Sequence, residues 1–386
     1  VLVVGRPEGS ELSYADQVAA ASEALEAEPV DPEDAVLWAY SSGTTGEPKA
    51  AVHSHRNVHL AAQLFPDSIL KIGPEDRSFA VPKLFFTFGL AVSLYVPLRV
   101  GSTVILNPRP PDPELALQII HRERPTLFYA VPTLYIRMLQ VPEAARRFDL
   151  SSIRMCFVGG EPLAPEIFRR WQEVFGLELL EAIGSSEALM FYLTNRPGES
   201  RPGSCGQPVS GYTVRIVDEE GRDVAPGEPG ALAIRGPTFL EHYARRPDLT
   251  RRAFRGDWFV SGDQFRQDAD GYYWFLGRTD DMLRVAGAWV SPAEVEKVLM
   301  EHPAILEAAV VGVPDEQGTM RPKAYVVLQP RVAAQGDLPG ELIAFTRERM
   351  AVYKAPRWVE FLADLPRTPT GKTQRFKLRA GTAGRE

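Results

Sequence analysis

The first half of the chain alternates short, mostly apolar runs with longer stretches in which apolar residues recur every three or four positions. Runs at 78–81, 103–106, 126–130, 155–158 and 178–182 have the length of buried strands, and 113–122, 132–139 and 164–175 between them have a helical period. Such alternation predicts a mainly parallel sheet covered by helices. An apolar run at 35–40 leads into a Ser/Thr/Gly-rich segment, and 52–69 beyond it reads as a helix carrying His53, His55 and His59. Ahead of these, 1–5 reads as a strand, and the acidic, Ala-rich 5–34 as a surface helix and linker.

The texture changes after Pro202. Short strands at 212–217, 230–235, 258–261 and 272–276, separated by Gly- and Asp-rich turns, predict an antiparallel subdomain with the character of a distorted barrel. From Ser291 the order becomes helix 293–301, strand 304–313, strand 324–328, helix 338–350, strand 358–361, a small α+β domain. The expected division is 1–201 for an α/β part, 202–279 for a β-rich subdomain and 280–386 for the C-terminal domain.

Composition narrows the function classes. The 386 residues are 45% hydrophobic and 24% charged, with a formal net charge of −7, which argues against a general nucleic-acid or anionic-membrane role. Arg367, Lys372, Arg375, Lys377 and Arg379 cluster near the end and suggest a local anion site. Cys156 and Cys205 stand alone, without disulfide or zinc spacing, which fits a reducing cytoplasm. No apolar run approaches the roughly 20 residues of a membrane helix. The chain opens on Val1 in a strand-like segment, so the natural start is expected upstream.

The most informative chemistry lies in Ser41-Ser42-Gly43-Thr44-Thr45-Gly46-Glu47-Pro48-Lys49. Glycines let backbone N–H groups approach an anion, hydroxyls add donors and lysine adds charge, a combination suited to a polyphosphate. A hydroxyl-rich surface turn is the ordinary alternative. A P-loop requires GxxxxGK[ST], whereas Gly43 and Gly46 are three apart, Pro48 precedes Lys49 and Ala50 follows it. Gly371-Lys372-Thr373 ends like a P-loop, but Pro366 occupies the position of its first glycine.

The longer string Trp38-Ala-Tyr-Ser-Ser-Gly-Thr-Thr-Gly-Glu-Pro-Lys-Ala-Ala-Val-His-Ser-His55 resembles the signature loop of the ANL superfamily of adenylate-forming enzymes, and the likeness continues in family order almost to the end of the chain. Ala182-Ile183-Gly184-Ser185-Ser186-Glu187 resembles the segment whose hydroxyl meets the α-phosphate and whose glutamate helps hold Mg2+, roles implied for Ser186 and Glu187. Ile183 replaces the family's usual tyrosine and removes an aromatic platform for adenine. The same resemblance places Gly160, Glu161 and Pro162 under the adenine, Asp263 on the ribose hydroxyls and Arg278 beside them. It makes Asp280 a hinge, Gly287 part of a thiol tunnel, and Lys372 the lysine that bridges carboxylate and α-phosphate.

Phe85, Phe86 and Gly89, with Gly159 and Ala182, correspond to the family's acyl pocket, although aromatic core is an equally ordinary reading of 83–89. His53 and His55 read as structural residues at a helix start. The Ile-Gly-Ser form and its neighbours are most similar to benzoate-type aryl-CoA ligases. The resemblance therefore implies an ANL fold, truncated at its N-terminus, with a mobile C-terminal domain. It also implies a reaction joining an aromatic acid to CoA through an acyl-adenylate at the expense of Mg·ATP. Loading of a carrier-protein phosphopantetheine, and an inactive or partner-dependent fragment, are the alternatives. Most of the family's N-terminal subdomain is missing from the chain, so an exposed apolar face, a homodimer or a longer parent protein is expected.

Overall fold

The structure, a computed structural model, describes residues 2–3, 12–42, 48–67, 71–285, 288–330, 332–367 and 373–381. Val1–Asp34 is one compact unit. In it Leu2–Val3 pairs in parallel with Leu12–Ser13, and the helix Tyr14–Ala20 follows, with Ser13 accepting from the Asp16 N–H as its N-cap. Ala35–Glu386 is the second unit and carries every site residue inferred from the sequence.

The seven-stranded sheet of the second unit runs Gln207–Pro208, Phe191–Thr194, Leu179–Gly184, Met155–Val158, Leu127–Ala130, Arg77–Ala80, Thr103–Ile105. The five strands from Leu179–Gly184 to Thr103–Ile105 pair in parallel, and the other two are antiparallel. Met155–Val158 and Leu127–Ala130 in its middle are apolar throughout because both faces are covered. Tyr129, Phe157 and Leu180 face one hydrophobic cluster, while Phe128, Cys156, Val158 and Leu179 face a second built round Trp171. Trp171 is fully buried, edge-on to Tyr135 at 4.8 Å between ring centroids.

The predicted helix at 52–69 is corrected at its start. Pro48–Ser54 is a strand, antiparallel to Ala35–Ser42, and the helix occupies His55–Phe65 with Ser54 as its N-cap. His242–Tyr243 pairs on the other side of Pro48–Ser54. Ala50, Ala51, Val52 and His53 are all buried, so this central strand has no polar face and no alternation to distinguish it from the helix that follows. The Ser/Thr/Gly segment therefore joins two antiparallel strands instead of leading from strand to helix.

Beyond it, Thr213–Val217, Gly230–Arg235, Trp258–Gln267 and Phe254–Arg255 form an antiparallel sheet, with Tyr273–Arg278 also on Trp258–Gln267. No pairing among the described residues closes this sheet, so the expected barrel is an open sheet. One long strand with register shifts serves three partners in place of a ring of equal strands. After the 3-10 turn Thr279–Asp281, the order is the helix Pro292–Leu299, strands Ile305–Pro314 and Met320–Leu328, the helix Leu338–Arg349 and the strand Trp358–Phe361. Val310 and Val326 fill the core on one face of this three-stranded sheet, and Val311 and Tyr325 fill it on the other. Among the described residues, no helix is long and apolar enough to cross a membrane.

One glycine fixes the strand end that carries the candidate site. A Cβ on Gly184 would stand 2.4 Å from the Met190 carbonyl oxygen, because the chain returns directly beside it to pair Phe191 with Gly184. Gly184→Ala is expected to lower stability by more than about 2 kcal/mol, read from its urea midpoint, since backbone must move to admit the methyl group.

Candidate active site

Lys49 and Glu187, separated by 138 positions in the chain, meet with Nζ 2.8 Å from Oε1. Lys49 lies one residue into the Pro48–Ser54 strand, and Glu187 follows the turn after Leu179–Gly184. The third member is Tyr243, which the sequence reading missed. Its hydroxyl donates to Glu187 Oε1 at 2.8 Å and accepts from Lys49 Nζ at 2.9 Å, while Nζ lies 4.5 Å from the ring centroid. Strand pairing of Tyr243 with Ala51 brings the phenol there, a relation without local sequence signal. Burial pushes the Glu187 carboxyl up, but the Lys49 charge and the bonds from Lys49 and Tyr243 prevail and hold it below its ordinary value.

The turn at 184–187 is fastened to two other elements. His53 Nε2 lies 2.8 Å from the Ser186 carbonyl oxygen, and Thr87 Oγ1 donates to Ser186 Oγ at 3.2 Å. His53 is fully buried, which lowers its pKa and favours the neutral ring. It is thus a strand residue tying the loop hairpin to Ser186, in place of the expected helix-start role, while His55 does open the helix. Ser185 Oγ is buried and without a hydrogen-bond partner among the described residues.

Asp263 and Arg278 are register partners on adjacent antiparallel strands, with a carboxylate oxygen 3.7 Å from the guanidinium. Asp280 sits in the 3-10 turn that immediately follows. Gly159, Gly160, Glu161 and Pro162 leave the end of Met155–Val158, where Gly160 takes a φ of +93°. A Cβ on Gly159 would touch the Phe191 ring at 3.0 Å, and Ala182 is buried on the neighbouring strand. Phe85 is 76% exposed with Phe86 against it, whereas Phe88 packs on Phe191 and Tyr129. Phe88 and Gly159 thus both adjoin the Phe191 ring. Gly89 is buried where a Cβ would overlap the Lys83 carbonyl oxygen.

Ser41 and Lys49 face each other in register near the open end of the loop hairpin, with Ser42 opposite Pro48. Gly43, Thr44, Thr45 and Gly46, the side chain of Ser42, Gly287 and Lys372 lie outside the described residues. The anion site expected from the basic tail is corrected for its arginines. Arg375 is paired to Glu296 through two bonds of 2.7 and 3.1 Å, Arg379 to Asp281, and Arg367 to Glu307. The guanidinium groups of Arg375 and Arg379 fasten the helix Arg375–Arg379 to Glu296 and Asp281.

Mg2+ fits the donor set at Glu187. It commonly takes one or two protein carboxylates and completes its octahedron with phosphate oxygens and water. Glu187 supplies one buried carboxylate, and the described residues contain no cluster of three or more His, Cys, Asp or Glu that would form a complete protein cage.

Glu181, also absent from the sequence reading, is the second buried carboxyl here. Its Oε1 accepts from the Leu163 N–H at 3.2 Å, and its Oε2 has no hydrogen-bond partner among the described residues. Burial pushes it from an ordinary 4.5 up to about 7, against the opposing effects of Lys297 and the Leu163 N–H. Between those two values the folded protein keeps a proton that the unfolded chain releases. Stability therefore falls as pH rises through this window and levels off above it. Glu181→Gln is expected to flatten that slope, being more stable than the parent at pH 8 by on the order of 2 kcal/mol and similar to it near pH 5. Urea midpoints at the two pH values test this, and parallel slopes for both proteins would count against it.

Residues 1–244 match the family described as AMP-binding enzyme, and residues 294–372 match the AMP-binding enzyme C-terminal domain. The chain is 44% identical over 380 residues to a benzoate–CoA ligase of Thauera aromatica, covering 98% of this chain and 72% of that protein. A 3-hydroxybenzoate–CoA ligase of Aromatoleum sp. strain CIB is 40% identical over the same shares of each chain. An anthranilate–CoA ligase solved with anthranoyl-AMP superposes with a TM-score of 0.93 at 41% identity, covering 98% of this chain and 73% of that one. A benzoate–CoA ligase of Burkholderia xenovorans LB400 does so with a TM-score of 0.89 at 41% identity, covering 95% and 73%. With its fold matched throughout and both family regions in order, the chain belongs to the AMP-binding, ANL superfamily of adenylate-forming enzymes.

Proposed function

We propose that the protein is an AMP-forming aryl-CoA ligase that activates benzoate or a substituted benzoate with Mg·ATP and passes the acyl group to the CoA thiol. The observation that carries this reading is the meeting of Lys49 and Glu187 at 2.8 Å, which joins the Ser/Thr/Gly hairpin to the Gly-Ser-Ser-Glu turn in one charged centre. The identity to benzoate- and hydroxybenzoate-CoA ligases supports the acid and the acceptor. A cytoplasmic setting agrees with two buried free thiols, Cys156 and Cys205.

The chemistry follows from charge. A carboxylate attacking the α-phosphate brings two anions together, so the protein must lower the potential there without withdrawing the nucleophile. Lys49 serves the polyphosphate and Ser186 offers a hydroxyl to the α-phosphate. Glu187 would hold Mg2+, whose charge offsets that of the phosphates when it is bound. Asp263 accepts from the ribose hydroxyls with Arg278 beside it, and the 159–162 loop with Ile183 and Gly184 floors the nucleotide. Lys372 bridges the carboxylate and the transferring group. Movement about Asp280 then withdraws Lys372 and brings Gly287 to the thiol path.

Incubation with ATP, Mg2+, CoA and a panel of aryl acids is expected to yield AMP, pyrophosphate and aryl-CoA. Absence of acid-dependent pyrophosphate across the panel would refute the function. Replacing CoA with a holo carrier protein tests the acceptor. Lys372→Ala should slow adenylation by about 10²–10³-fold while sparing thioester formation from supplied aryl-adenylate; a full adenylation rate would remove Lys372 from this role. Tyr243→Phe should raise KM for Mg·ATP about five- to thirtyfold, roughly 1–2 kcal/mol, with KM for the acid unchanged.

A further inference from the structure

Thr133 and Glu161 stand just beyond the ends of two neighbouring parallel strands, Leu127–Ala130 and Met155–Val158. Each receives a hydrogen bond from the far end of the chain. Arg367 Nη1 donates to Thr133 Oγ1 at 2.8 Å, and the Thr373 N–H donates to Glu161 Oε1 at 2.9 Å. Arg367 and Thr373 are themselves joined by an isolated antiparallel bridge, reinforced by Gln374 N donating to the Pro366 carbonyl at 2.7 Å. The two bridged residues are therefore also attachment points to the region of the large sheet.

We propose that Thr133 and Glu161 are positioning residues for the adenylate-forming step, catches that hold the Arg367–Thr373 bridge against the large domain. The inference rests on the two-step reading above. Both bonds cross from the sheet region to the C-terminal region, so both must break in any movement about Asp280. They stabilise one arrangement and contribute nothing to the other, which is the condition for biasing an equilibrium between them. Release leaves no stranded charge at Arg367. Glu307 and Asp364, which also pair with Arg367, belong to the C-terminal region and travel with it. Glu161 is only half-buried and can take solvent in exchange for the Thr373 N–H. Thr133, 9% exposed at the start of Pro132–Met138, offers a neutral acceptor that is left without expense of ion-pair energy.

The test compares Thr133→Val, which keeps shape and removes the hydroxyl, with Thr133→Ser, which restores it, and Glu161→Ala with Glu161→Gln. The first readout is the ratio of the adenylation rate, from acid-dependent pyrophosphate release, to the rate of aryl-CoA formation from supplied aryl-adenylate. That ratio is expected to fall about tenfold in Thr133→Val and Glu161→Ala, the loss of one charge-assisted hydrogen bond, and to recover in Thr133→Ser and largely in Glu161→Gln. The second readout is hydrogen–deuterium exchange of 373–378 without substrates, expected to quicken in the same two variants. An unchanged ratio, or unchanged exchange at 373–378, overturns the proposal. If the parent protein performs neither half-reaction, the ligase reading fails, and the exchange measurement still decides whether the catches hold.

Discussion

A carboxylate buried among strands sets the terms for the rest of this site. Glu187 has a side chain about one-tenth exposed, and removing such a charge from water costs several kcal/mol unless partners are brought to it. Lys49 and Tyr243 are those partners, and each reaches Glu187 because the Pro48–Ser54 strand lies between Ala35–Ser42 and His242–Tyr243. The hairpin that presents the Ser/Thr/Gly segment thus cannot dock independently of the turn at 184–187. His53 adds a bond to the Ser186 carbonyl and makes the same connection from the strand's other end.

This arrangement also explains how two opposite charges coexist at a largely buried position. Lys49 and Glu187 neutralise one another, with the Tyr243 hydroxyl bonded to both. The Tyr243 hydroxyl thus gives Glu187 a hydrogen-bond donor of the protein's own beside the Lys49 charge.

The parallel sheet collects the remaining groups. Thr133, the 159–162 loop and the turn at 184–187 all follow the carboxyl ends of adjacent strands, the edge at which open α/β sheets bind ligands. The C-terminal region is fastened to that edge by Arg367 and Thr373, while Arg375 and Arg379 are occupied by Glu296 and Asp281 within the region itself. The arginines of a basic run that looks like one anion site along the chain are divided by the fold among separate ion pairs.

The parallel strands and their helices were legible in the sequence because burial on both faces favours apolar runs, and Met155–Val158 falls where such a run predicts. Asp263 and Arg278 stand on two successive strands of one antiparallel pair, and the Gly-Ser-Ser-Glu turn was legible too, being carried by contiguous residues. Pro48–Ser54 was not, since a buried central strand and the helix it feeds share one apolar texture. Nor could the pattern show that Phe85 is exposed while Phe88 enters the core. By itself the sequence determined which residue types carry the chemistry, through local runs that encode secondary structure and motif. Only the tertiary structure decided that Tyr243 joins Lys49 and Glu187, that Glu181 is buried with an oxygen unpartnered among the described residues, and that Thr133 and Glu161 bond to Arg367 and Thr373. Those relations arise from strand pairing and burial between residues distant in sequence, where no local propensity records them.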